Sequence, residues 1–413
     1  MFLQSLPLVF VLIGLALYTV LAGADFGAGF WQLFAGPGEH GERVREHAHD
    51  SMAPVWEANH VWLIFVLTVF WTAYPSAFRA IFSTLAVPLF IAAIGIVFRG
   101  AAYALRAGAA NLRESGMIDT IFSVSSILTP FALGAVIGAI AANKVPANPS
   151  AGHLFSSWLN ATSIFIGVLA VASSAYLAAV YLAADAASLG HHALENSFRN
   201  RALGAGVVAG AIAIAGLFVL NGDNHQLVHA LLTGSALAAV IVSFLAGLGT
   251  LGLVYTRRFQ IARYTAAGAV AAIIAGWAIA RWPTILPGLT ISQAAAGHDT
   301  LVWVVVCVLA GAAILFPSLT LLFRLALTGR FHGASDAGPA EPETSRPPHF
   351  KPALLVRSSA ACLIAGIGLL NAADAGWAHA VGVAFLFTFV VTGFAAIMSQ
   401  AVAGQPADHQ ASG

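Results

Sequence analysis

The chain has 413 residues, of which 59% are hydrophobic and 8% charged, with 18 basic and 17 acidic side chains and a net charge of +1. A soluble domain carries about 25% charge to wet its surface, so this composition excludes a soluble enzyme; the near-neutral balance also lacks the basic stripe that a nucleic-acid partner requires. What remains is an all-α fold, a polytopic helical membrane bundle.

A hydrocarbon core of about 30 Å is crossed by roughly 20 apolar helical residues. In chain order the sequence predicts eleven such spans, at 4–30, 54–74, 80–100, 118–141, 158–185, 202–220, 228–255, 264–281, 300–323, 354–373 and 377–400. The chain starts Met-Phe-Leu-Gln-Ser-Leu-Pro without a basic segment, so the apolar run from Leu6 to Ala22 reads as the first span rather than a signal peptide. Loops after odd-numbered spans hold Arg43, Arg45, Arg99, Arg106, Arg113, Arg199, Arg201, Arg257, Arg258, Arg263, Arg324, Arg330, Arg346, Lys351 and Arg357, whereas loops after even-numbered spans hold only Arg79, Lys144 and Arg281. Cytoplasmic loops are enriched in Lys and Arg, so the N-terminus is expected outside and the C-terminus in the cytoplasm of a bacterial membrane.

The polar stretch 327–352 reads as a flexible linker. It divides a nine-helix core, 1–326, from a two-helix hairpin at 353–402, with 403–413 expected to be disordered. No internal repeat is visible. Gly23 and Gly27, Gly134 and Gly138, and Gly206 and Gly210 have the spacing that lets helix backbones approach closely. Cys307 and Cys362 lie inside apolar runs and read as buried packing residues rather than a disulfide or metal site.

An ionisable group at membrane depth costs a few kcal/mol or more and needs a reason. Asp25 lies toward the predicted cytoplasmic end of the first span, Glu57 opens the second from the same side, and Arg99 closes the third there. Pairing of Arg99 with one carboxylate would reduce the desolvation cost. Two readings stay open: a proton-conducting or charge-tuning cluster, and an interfacial salt bridge that locks three helices. Asn59 and His60 extend the cluster, and Glu57 and His60, three apart, share a helix face. His60 has the chemistry of a haem or metal ligand, but a lone membrane histidine more often hydrogen-bonds a neighbouring helix. His225 and His229 have metal-ligand spacing at the start of the seventh span, near Asp223 and Asn224, without a second motif. No metal site is therefore expected, and no self-contained catalytic constellation is present. Trp31, Trp62, Trp71, Tyr74 and Trp282 fall near predicted span ends, where aromatic belts form.

The segment Gly23-Ala24-Asp25-Phe26-Gly27-Ala28-Gly29, followed by Pro54, Trp56, Glu57, Ala58, Asn59, His60, Val61, Trp62 and Leu63, resembles subunit II of the cytochrome bd-type quinol oxidases. That family closes its first helix on D-G-F-D-x-G-x-G and opens its second with A/G-P-x-W-D-G-N-x-V-W-L. Its Phe-Ala-Ala-aromatic-Pro stretch is echoed by Trp71-Thr72-Ala73-Tyr74-Pro75, and its helix-3 arginine by Arg99. The run from Trp282 to Ile291 and the turn Phe316-Pro317-Ser318-Leu319 fall where the family has similar segments, so the likeness covers about 1–330. The departures mark a divergent member. Ala22 replaces one acid of the first motif, Glu57 lengthens the family's aspartate, Ala58 replaces a glycine, His60 replaces a Glu or Gln, and Ala104 replaces an acid near the end of helix 3.

The resemblance implies a subunit of a complex that oxidises a membrane quinol and reduces dioxygen to water in a respiratory chain. Two b-type haems and a haem d, or a haem b in place of d, would belong to the partner, subunit I, as would the quinol-oxidising loop. This chain would hold no haem, would support subunit I, and would contribute proton or oxygen access through the Asp25/Glu57 cluster. A small accessory subunit, membrane lipid and bound quinone are further expected partners. Two rival readings remain: a secondary transporter with ion-binding acids, and a membrane scaffold that has lost the respiratory role.

Overall fold

The computed structural model describes residues 2–106, 112–148, 152–327, 352–372, 377–378, 381–389 and 391–392; side chains are described at these positions except 52–58, 106, 112–115, 316, 319–327, 352–356 and 370–372. The chain forms two compact units, 1–319 and 320–413. In the first unit the order is α1 (Phe2–Leu33), α2 (Gly38–Ala73), α3 (Pro75–Thr84), α4 (Ala86–Arg106), α5 (Leu112–Ala141), α6 (Ala161–Ser188), α7 (His192–Asp223), α8 (His225–Leu232), α9 (Gly234–Tyr255) and α10 (Phe259–Arg281). A short antiparallel hairpin, β1 (Thr284–Leu286) and β2 (Leu289–Thr290), then leads through α11 (Ile291–Ala294) into α12 (His298–Leu327), whose residues after 319 belong to the second unit.

Eight helices of the described residues are long and apolar enough to cross a membrane, or nine if α2 and α3 form one broken span. Predicted spans one to nine each fall on one of these. The apolar stretch Arg357–Leu369 of α13 (Pro352–Ala372) lies in the tenth, and the eleventh falls partly outside the described residues.

The second span differs most from expectation. The sequence places its start at 54, but α2 begins at Gly38, so the segment carrying Glu57 lies inside a 36-residue helix. The added part is polar but amphipathic. Gly41, Val44, His47 and Ala48 are buried on one face, and Val44 and Ala48 pack into a core cluster built largely from α6. A search for apolar windows sees only the membrane half of such a helix. At its other end α2 breaks at Tyr74 and turns by 118° into α3, which starts on Pro75. Proline suits the first helical turn because its missing N–H has no intrahelical acceptor there.

Tyr74, fully buried, fixes this corner to the start of α1. Its hydroxyl donates to the Gln4 carbonyl at 2.6 Å and accepts from the Leu8 N–H at 3.0 Å. These are the two groups of one i→i−4 step, beside Pro7, so the phenol inserts into the helix ladder. The seventh predicted span is also divided. Thr233 is extended and Gly234 sits at φ +63°, which separates α8 from α9.

Helices α1 and α6 stand at the centre. α1 packs on α2, α5 and α6, while α6 also packs on α7 and α10. At Gly27 an added Cβ would overlap the Ser174 carbonyl of α6, so the two backbones meet there. Gly134 and Gly138 place α5 against α6 in the same way; Gly206 abuts Tyr176 and Leu251, whereas Gly210 faces open space. Charged groups gather at two ends of the unit. At one, Asp223 binds Thr162 at 2.6 Å and Lys144 at 3.4 Å, and Arg281 reaches the Ile140 carbonyl and Asn143. At the other, Glu195 pairs with Arg257 at 2.6 Å, and Asp185 accepts from Ser51 with Arg263 nearby.

The expectation that both cysteines are buried is corrected: Cys307 is exposed and Cys362 half-buried. An apolar run fixes membrane depth but not which helix face turns outward, and on α12 Trp303, Val306 and Leu309 are exposed with Cys307. In the second unit, α13 packs antiparallel to the helical residues 381–389. Gly366 lies against Leu386 and the Gly382 carbonyl, and Ser359 donates to the Phe389 carbonyl at 3.3 Å.

Candidate functional site: a buried ion pair between α1 and α4

Asp25 and Arg99 are 3% and 2% exposed, and they form a direct ion pair through Asp25 Oδ1 and Arg99 Nη2. The same Nη2 donates to the Asp25 backbone carbonyl at 3.0 Å. Arg99 Nη1 donates to Ser126 Oγ on α5, which in turn donates to the Phe122 carbonyl at 2.6 Å. The guanidinium lies over the rings of Phe122, 4.1 Å from its centroid, and Phe26, at 5.1 Å. Two aromatic faces, a carboxylate, a carbonyl and a hydroxyl thus replace the water that burial removes.

Asn59 of α2, itself buried, donates to Asp25 Oδ2 at 3.4 Å. His60 lines the cavity beside the pair with Tyr18, Ala22, Leu63 and Ile96. That cavity is about 10 Å³, the space that one water occupies. It is far too small for a macrocycle, so the described residues around His60 do not fit a haem.

Of the site residues expected from sequence, Asp25, Asn59, His60 and Arg99 are brought together on three helices. The side chains of Pro54, Trp56 and Glu57 lie outside the described residues. Trp62 packs beside Tyr18 and Phe26. Gly23 faces Leu177, Gly27 admits α6, and Gly29 admits Ser126 and Arg99. The sequence reading missed Ser126, Phe122, Tyr18 and Gln32. The signal for the first was the run Ser123, Ser125, Ser126 and Thr129 in an apolar helix; it passed unnoticed because such hydroxyls usually bond their own i−4 carbonyl.

His225 and His229 are occupied locally. His225 Nδ1 contacts Asn221 Oδ1 at 2.8 Å, His229 Nδ1 contacts Thr233 at 3.4 Å, and the two rings are 6.5 Å apart. Among the described residues no group of three His, Cys, Asp or Glu side chains could hold a metal.

A long-helix bundle that crosses the membrane and buries an aspartate–arginine pair among α1, α2, α4 and α5 defines a polytopic helical membrane protein with a charged internal site. The family model for cytochrome bd terminal oxidase subunit II matches residues 3–326, and the chain belongs to that family. It is 28% identical over 149 residues to cytochrome bd ubiquinol oxidase subunit 2 of Bacillus subtilis, covering 36% of this chain and 43% of that protein. It is 26% identical over 227 residues to cytochrome bd-I ubiquinol oxidase subunit 2 of Escherichia coli, covering 53% and 58%. The alignments thus span about half the length of these curated relatives. The fold is similar to a chain in the solved structure of bd oxidase from Geobacillus thermodenitrificans, with a TM-score of 0.64, 24% identity, and coverage of 79% of this chain and 99% of that one. The low identities agree with a divergent member.

Proposed function

We propose that this chain is the subunit II of a bd-type terminal oxidase in a bacterial cytoplasmic membrane, paired with a subunit I that carries haem b and haem d, or haem b in place of d. The complex would take four electrons from two quinols and four protons to convert one dioxygen to two waters. This chain supports subunit I and supplies protons from the cytoplasmic side, with its N-terminus outside and its C-terminus in the cytoplasm. A small accessory subunit, lipid and bound quinone complete the assembly. Residues 1–326 are the family core and 353–402 an added hairpin; the expected linker, 327–352, and tail, 403–413, lie outside the described residues except at positions 327 and 352.

The buried Asp25–Arg99 pair beside a water-sized cavity carries the proton-supply reading. A charge pair at this depth costs several kcal/mol per ion before its contacts offset it, and the family motif that contains Asp25 and Gly29 builds those contacts. The pairing also weighs against a transporter, since both charges of the pair satisfy each other rather than a substrate ion. The missing acid at Ala104 weighs little against an active oxidase, because that position is exposed while the buried pair is intact.

Co-expression with a haem-bearing subunit I tests the reading. Purification should yield a two-subunit complex with haem absorbance and quinol-dependent oxygen uptake. A complex with neither would leave the membrane scaffold as the better account.

A further inference from the structure

We propose that Gln32 anchors a seam of bound water along one face of α1 and positions that water for proton transfer toward the Asp25–Arg99 pair; the transfer, though not the hydration, rests on the proton-supply reading above. Tyr18, Ala22, Asp25, Gly29 and Gln32 follow one another at spacings of four, three, four and three residues, which places them on a single helix face. All five are buried. Gln32 is 4% exposed, yet neither its Oε1 nor its Nε2 has a partner among the described residues. An amide carries one acceptor oxygen and two N–H donors, and leaving such groups dry costs about 1–3 kcal/mol each. Buried polar groups in this state are ordinarily met by ordered water.

The other end of the same face shows the same deficit. Arg99 Nε and Asn59 Oδ1 are buried without partners, beside the cavity that admits one water. Gln32 lies seven residues beyond Asp25, or about 10 Å along the axis at 1.5 Å per residue. Waters in hydrogen-bonded file cover that distance in about four steps of ~2.8 Å. Ser126 Oγ stands midway, opposite Gly29; its proton goes to the Phe122 carbonyl and one lone pair to Arg99 Nη1, which leaves one lone pair to accept from a water of the file. Gln32 is also the last residue but one of α1, where the bundle ends and the polar half of α2 begins with exposed Glu39, Glu42 and Arg43. It therefore lies between the polar end of the unit and the ion pair. The amide takes no proton itself. It holds water so that each molecule accepts one proton from its neighbour and passes one on, with no net change in the seam.

The test uses the assembled complex with Gln32→Leu, Gln32→Glu and, as reference, Asp25→Asn. The expected result is that Gln32→Leu lowers the thermal unfolding midpoint, reduces quinol-dependent oxygen uptake about tenfold and raises the solvent deuterium isotope effect, whereas Gln32→Glu keeps most of the turnover. A dry amide predicts the opposite, because leucine then removes an unsatisfied group: a raised midpoint with unchanged turnover would overturn the proposal. A lowered midpoint with unchanged turnover would overturn the positioning role. If Asp25→Asn keeps full turnover, the proton-supply reading fails by itself, and the hydration of Gln32 is still decided by the midpoint of Gln32→Leu.

Discussion

Gly29 stands opposite Ser126 so closely that a Cβ on Gly29 would overlap the serine hydroxyl and come within 3.2 Å of Arg99 Nη1. The glycine of the family motif is therefore a space requirement of the ion pair one turn away. Gly29→Ala should push Ser126 and Arg99 aside and cost about 1–3 kcal/mol of overpacking. Ser126→Gly in the same chain should recover much of that loss by vacating the space. Thermal unfolding of both variants checks this. Equal destabilisation by Gly29→Ala with and without Ser126→Gly would show that the strain lies elsewhere.

The pair itself should behave as a unit. Asp25→Asn strands a buried guanidinium, and Arg99→Met strands a buried carboxylate, so each single change should cost about 3–5 kcal/mol. The double variant leaves neither charge unpaired and should cost less than the sum of the two. A double-mutant cycle on the unfolding midpoint or on assembly yield measures the coupling. Additive effects would mean that the two residues act independently.

A third outcome concerns the corner between α2 and α3. Tyr74→Phe deletes the hydroxyl that joins the Gln4 carbonyl to the Leu8 N–H, and both sit in α1 rather than in the corner. The cost should be about 0.5–1.5 kcal/mol, concentrated at the start of α1. Amide exchange of residues 4–10 should rise while that of α4 and α5 stays unchanged. A uniform rise across the bundle would point to general loosening instead.

The membrane class was legible because charge scarcity is a whole-chain property, and among the described residues the eight helices able to cross, or nine if the bent pair is one span, were legible because each needs a long apolar run. Breaks were not. The turn at Tyr74 and the division at Thr233 and Gly234 depend on a few backbone angles inside apolar stretches, which hydropathy averages away. The polar half of α2 was lost for the converse reason: its buried stripe of Gly41, Val44, His47 and Ala48 is too thin to register as a span. In the site, Asp25 and Arg99 announced themselves by charge. Ser126, Phe122 and Gln32 did not, since a hydroxyl, a ring or an amide becomes informative only when its neighbours across the helix interface are known.

The last expectation concerns the C-terminal hairpin. Within the second unit Gly366 meets Gly382 and Leu386, and Ser359 meets Phe389. The family match ends at residue 326, and the buried pair with all its described partners lies before residue 127. A chain truncated after residue 330 should therefore keep the ion-pair site and co-purify with the partner subunit at unchanged haem content, with turnover within about twofold of the full chain, an effect under ~0.5 kcal/mol. Absorbance and oxygen uptake of the truncated complex decide it. Loss of assembly on truncation would make the hairpin a structural part of the core, and loss of turnover with assembly intact would give it a role in the reaction.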